Sequence, residues 1–172
     1  QYLSTLLSRP MAGRLADSLG TRRTIAYGLA GIGVSGLLTW GSALLVSVPL
    51  LSLGLLLVAR VLLGIAQGLI GVGTLSWGIG QVGAEHTARV ISWNGIASYG
   101  AIAIGAPVGV MLAQETGFYA IGLALTAMAV LALLVIRSQP SLPVMRGERL
   151  PFWAAFTRVA PCGLALTLAS IG

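Results

Sequence analysis

An all-α integral membrane protein is the fold class this sequence predicts, and three observations carry it. Charged residues make up 8% of the chain and hydrophobic ones 56%, where an ordinary soluble domain is about 25% charged. The apolar runs are long enough to cross a bilayer core of about 30 Å, which takes about 20 helical residues. The arginines, with one exception, sit in the segments between those runs. Too few charged side chains are present to cover the outside of a soluble fold. Lipid as solvent removes that demand.

The elements follow in order. Residues 1–8 read as the end of one helix. Thr24–Val48 is a second, closed by Pro49, and Leu50 to Ile79 a third, interrupted only by Arg60. Val90–Ala113 is a fourth and Phe118–Ile136 a fifth, and a sixth begins near Pro161. These runs far exceed the roughly 10 alternating residues of a barrel strand, so strands are not expected. Both ends of the sequence fall inside apolar runs, so the expectation is a piece of a longer chain.

The segments between the helices are unequal. Residues 9–23 hold Arg9, Arg14, Arg22 and Arg23, residues 80–89 hold Arg89, and residues 137–158 hold Arg137, Arg146, Arg149 and Arg158. Val48-Pro49 and Gln114–Gly117 hold no Lys or Arg. Successive connections lie on opposite sides of a membrane, so the positive-inside rule predicts that the arginine-bearing segments are cytoplasmic. The segment 137–158 contains Pro140, Pro143 and Pro151 and reads as a linker between two bundles. Within it, Phe152–Phe156 reads either as a surface amphipathic helix or as the start of the next span.

Several function classes are disfavoured. A net charge of +6 suits a nucleic-acid binder only when the cations share a polar face, and these do not. The lone Cys162 excludes an internal disulfide and a cysteine metal cluster. Gly31–Gly36 spells GxGxxG, but inside a membrane helix with no preceding strand, so no dinucleotide site is expected. Ser35 in the same stretch resembles an intramembrane protease serine, which needs a histidine base in reach. The only histidine, His86, lies beyond the apolar span. No enzyme and no cofactor is expected.

Arg60 is the leading functional candidate. An arginine at the centre of a spanning helix costs about 2.5–3.5 kcal/mol and normally faces a bundle interior or a water-filled cavity. Helical spacing predicts that Arg60, Gly64, Gln67, Gly68 and Gly71 share a stripe. The cation then either binds substrate or a coupling carboxylate, or pairs with carbonyls in helix packing. Asp17, Glu85 and Glu115 all lie near span boundaries, so no proton relay is visible within the spans. Trp40, Trp93 and Trp153 are expected as interfacial anchors, and Trp77 as either an anchor or a cavity residue. Ala97, Ala101, Gly105, Gly109 and Ala113 form a small-residue ladder at four-residue spacing, a pattern that lets membrane helices pack closely. Pro107 inside it is expected to kink the helix.

Three stretches together resemble the signatures of major facilitator superfamily transporters. Residues 13–23 are similar to the family's G-x-L-A-D-[RK]-x-G-[RK]-[RK] loop at Gly13, Leu15, Ala16, Asp17, Gly20 and Arg22, departing at Ser18 and Thr21. Arg60–Gly68 resembles the fourth-helix motif built on a buried arginine. Gly105-Ala106-Pro107-Val108-Gly109 resembles a contracted fifth-helix antiporter motif.

The resemblance implies a partial N-terminal six-helix bundle over residues 1–136. A cytoplasmic linker over 137–158 and the start of helix seven over 159–172 would follow. It implies a secondary active transporter of a bacterial cytoplasmic membrane, of the sugar- or drug-efflux kind. Such a protein exchanges a small organic solute for protons by alternating access. Arg60, Gln67 and Trp77 would then serve substrate or coupling. Gly13, Asp17, Gly20, Arg22 and Arg23 would hold the two halves together, and Gly105, Pro107 and Gly109 would let helix five flex. The lipid bilayer and a missing C-terminal half would be its structural partners. A uniporter or importer on the same fold, or a small oligomeric channel, are the alternatives.

Overall fold

A computed structural model describes residues 2–139 as five α-helices. They are α1 (Tyr2–Leu19), α2 (Thr21–Leu44), α3 (Pro49–Val82), α4 (Thr87–Thr116) and α5 (Phe118–Ser138), with a short 3-10 turn at Ala84–His86. The helices α2 to α5 are each long and apolar enough to cross a membrane. No strand occurs among the described residues. The expected linker beyond Gln139, the sixth span, Trp153 and Cys162 lie outside the described residues.

The spans expected within residues 2–139 are present, and the connections between them are shorter than expected. Residues 9–23 are not a loop: α1 runs through Pro10 to Leu19, and α2 starts at Thr21. Arg, Leu and Ala are strong helix formers, and charge bars a segment from lipid without barring it from a helix. The whole reversal is made by Gly20, at φ 87 and ψ 152, a region that essentially only glycine occupies. Gly83 and Gly117 break the chain with the same backbone geometry. At the other connection Pro49 opens α3 at its first turn, where a missing N–H costs nothing.

The interior is built from small residues rather than large ones. Ala12, Ala16, Ala59, Ala66 and Ala129 are buried, together with the hydroxyls Ser8, Thr24, Ser35, Thr39 and Ser42. Leu50, by contrast, is 83% exposed and Ile104 70%. Apolar side chains gain nothing from leaving lipid, so packing and hydrogen bonds select the contacts.

The GxGxxG stretch lies at the centre of this packing. A Cβ on Gly31 would meet the Ala66 side chain at 3.0 Å, and one on Gly33 the Ala129 side chain at 3.6 Å. Ser35 Oγ donates to the Ala59 carbonyl at 2.8 Å. A Cβ on Gly36 would lie 2.7 Å from the Gly122 carbonyl oxygen. The motif therefore clamps α2 to α3 on one side and to α5 on the other. Thr126 Oγ1 adds a bond to the Gly33 carbonyl at 3.2 Å.

α4 behaves differently. None of its residues is buried, and among the described residues it meets only α3, α5 and the short turn. Nothing lies within 4 Å of a Cβ placed at Gly95, Gly100, Gly105 or Gly109. The expected close packing of the Ala97–Ala113 ladder is therefore not made among the described residues. Spacing gives the ladder a face, and no described helix lies against it. The helix is assigned without interruption through Pro107.

Candidate functional site

Arg60 lies on α3, 34 residues long, which at 1.5 Å per residue is about 51 Å. It is exposed from the bundle, although both flanks of its helix are occupied. Ala59, Ala66 and Gly73 face α2, where Ser35 bonds Ala59 and a Cβ on Gly73 would lie 2.7 Å from Ile25. Gly68 faces α1, where a Cβ would overlap the Ser8 hydroxyl.

Between those flanks runs an open stripe. Gln67, Gly71 and Gly78 fall within about 20° of Arg60 around the helix. Gly64 and Gly68, expected on that stripe, are buried instead, Gly68 against Ser8 of α1. Arg60 and Gln67 stay together, about 10 Å apart along the axis.

Trp77 does not join them. It is about 25 Å from Arg60 along the helix and about 100° around it. Its indole nitrogen is shielded from solvent and has no hydrogen-bond partner among the described residues, as is also true of the Thr21 hydroxyl. One small solute cannot touch both Trp77 and Arg60 in this arrangement.

The stripe ends where α4 crosses it. A Cβ on Gly78 would lie 2.7 Å from Val90 of α4, so the two helices touch there and diverge beyond. Around that contact is a cavity of about 770 Å³, lined by Trp77, Gln81, His86, Arg89, Trp93 and Asn94 among others. His86 Nδ1 lies 3.2 Å from the Val82 carbonyl oxygen and 3.6 Å from the Glu85 carboxylate.

Reading the sequence did not assemble this cavity. A signal was present, since Thr74, Trp77 and Gln81 on α3 and Arg89 and Trp93 on α4 recur at intervals of three or four. What was missing was the crossing that sets one series against the other.

The charged turns share one end of the bundle. Arg22 Nη2 donates to the Arg137 carbonyl oxygen at 2.5 Å, joining the start of α2 to the last turn of α5. Gly73 near the end of α3 lies against Thr21 and Ile25. At the other end, Ser52 Oγ donates to the Ser42 carbonyl at 2.7 Å. The expected alternation of connections is thus present. Gly13, Asp17 and Arg23 lie on this charged end as well: Asp17 and Arg23 are exposed, and a Cβ on Gly13 would meet nothing within 4 Å. Gly20 is buried in the turn itself. Gly105 and Pro107 are exposed on α4 and Gly109 is half-buried.

Long apolar helices with an interior of small and hydroxyl side chains, and an arginine on an open face of one span, define a multi-pass helical membrane protein. The chain belongs to the Major Facilitator Superfamily, whose family model matches residues 1–170. It is 48% identical over 172 residues to uncharacterized MFS-type transporters of Burkholderia mallei (strain SAVP1) and Burkholderia pseudomallei (strain K96243). It is 47% identical over the same length to the uncharacterized MFS-type transporter YhhS of Escherichia coli (strain K12). These matches take in 100% of this chain and 42% of each relative, so the chain spans about two-fifths of their length. No solved structure matches it significantly.

Proposed function

We propose that this chain is part of a secondary active transporter that exports a small organic solute across a bacterial cytoplasmic membrane in exchange for protons. Arg60 carries the reading. A cation on an apolar span is tolerated where it meets water or a ligand, and Arg60 with Gln67 lies on an exposed side of α3 between the flanks that α1 and α2 occupy. In this proposal that stripe faces the central cavity. The Gly20 and Gly83 turns and the end of α5 lie on the cytoplasmic side, as their arginines require under the positive-inside rule. Asp17, Gly13, Gly20, Arg22 and Arg23 act in closing that side, and α4 rocks about Gly105, Pro107 and Gly109 against the other half.

The test uses the intact transporter in lipid vesicles holding a proton gradient. A pH-sensitive dye reports whether any of a panel of small organic solutes releases the protons. Wild-type protein is expected to collapse the gradient with at least one solute, and Arg60→Ala with none, at equal membrane insertion. Full activity of Arg60→Ala would falsify the role of Arg60. Solute movement that ignores the gradient would replace exchange with uniport.

A further inference from the structure

The cavity at the α3–α4 contact is separate from Arg60, its lining lying about 21–33 Å along α3 from that residue. We infer that it binds an organic anion with an aromatic or apolar body, held between Trp77 and Trp93 with its charge on Arg89.

Size, surface and charge each point to that chemistry. A volume of about 770 Å³ falls in the range of pockets for small organic ligands, about 300–1,000 Å³. Two indoles line it, and Trp93 is 65% exposed, offering a flat apolar surface that a ring or hydrocarbon can cover. Among the described residues, Arg89 is the one permanently charged residue of the lining, and no carboxylate lines it. Glu85 is adjacent in sequence but lies against His86, at 3.6 Å.

The remaining polar groups agree with an anion. Gln81 and Asn94 can each present amide donors to it. The first turn of α4 also lines the cavity, and the positive end of that helix dipole adds to the field of Arg89. A cationic ligand would meet Arg89 with no compensating acid in the lining.

Two sources could supply such an anion, a solute in the cytoplasm or the headgroup of an anionic lipid. The chemistry at Arg89 is the same for both. The site lies at the charged end of the bundle, where arginines attract anionic headgroups.

The experiment places the intact protein in phosphatidylcholine nanodiscs, in a background where every tryptophan other than Trp77 and Trp93, Trp40 and Trp153 included, is Phe, so that Trp77 and Trp93 report. The soluble probe is 2-naphthoate, with neutral 2-naphthamide as its control. The lipid probe is phosphatidylglycerol mixed into the disc. Saturable change in tryptophan emission is expected with 2-naphthoate, at least about tenfold weaker with the amide and in Arg89→Gln, and largely retained in Arg89→Lys. If phosphatidylglycerol alone produces the change and blocks 2-naphthoate, the anion is a lipid headgroup. If 2-naphthoate binds equally in both discs, it is a free solute. No saturable change with either anion, equal binding of the amide, or unchanged binding in Arg89→Gln would overturn the inference. Binding is read here without transport, so this outcome is independent of the role proposed for Arg60.

Discussion

The guanidinium of Arg22 closes onto the carbonyl of Arg137 at 2.5 Å, across 115 positions of sequence. It stands where the last carbonyls of α5 have no partner in their own helix, and a cation at that end is favoured by the dipole. An arginine of the charged turn therefore fastens α5 to α2.

Arg22→Ala is expected to speed amide hydrogen exchange over the last turn of α5 and to lower stability by about 1 kcal/mol, the usual net worth of one hydrogen bond. Arg22→Lys should restore part of both. Unchanged exchange at the end of α5 would show that the contact holds nothing.

Gly36 and Gly105 make a paired test of packing. A Cβ on Gly36 would press on Thr126 and on the Gly122 carbonyl, and one on Gly105 would meet open space. Gly36→Ala should destabilise by about 1–3 kcal/mol through overpacking, read as a lower thermal transition in detergent. Gly105→Ala should leave that transition in place if α4 packs only as described. A loss at Gly105 as large as at Gly36 would show another helix seated on the ladder.

Gly20→Ala should cost of order 1–3 kcal/mol, because its backbone stands where a side chain is strained. Gly13→Ala, helical and with nothing within 4 Å, should be neutral or slightly stabilising. Thermal unfolding of the two variants side by side measures the difference.

Asp17→Asn is expected to slow transport more than it weakens solute binding, if the carboxylate acts in closing the charged side. The comparison needs a solute found by the gradient assay, and then a transport rate beside a binding constant. Equal loss of both would point to misfolding.

Ser35→Ala removes the 2.8 Å bond to the Ala59 carbonyl and should cost only about 0.6 kcal/mol, a typical value for a hydrogen bond between membrane helices. A fall of several kcal/mol would mean that Ser35 sustains more than this seam.

Within residues 2–139, the spans, their approximate ends and the gathering of arginines at one end of the bundle were legible in the sequence alone. Each depends on a local quantity: the length of an apolar run against bilayer thickness, or the exclusion of arginine from lipid. Arg60 stood out as a candidate for the same reason. Tertiary structure alone decided which glycines pack. Gly31, Gly33 and Gly36 are clamped between neighbours, while Gly95, Gly100, Gly105 and Gly109 have none within 4 Å among the described residues. In sequence both are runs of small residues at helical spacing. It also split the predicted set at Arg60, leaving Gln67 beside it, burying Gly64 and Gly68, and carrying Trp77 to a cavity shared with Arg89 and Trp93. Periodicity defines the face of a helix. Which helix covers that face depends on the shape of every other helix in the bundle, and no local pattern contains that.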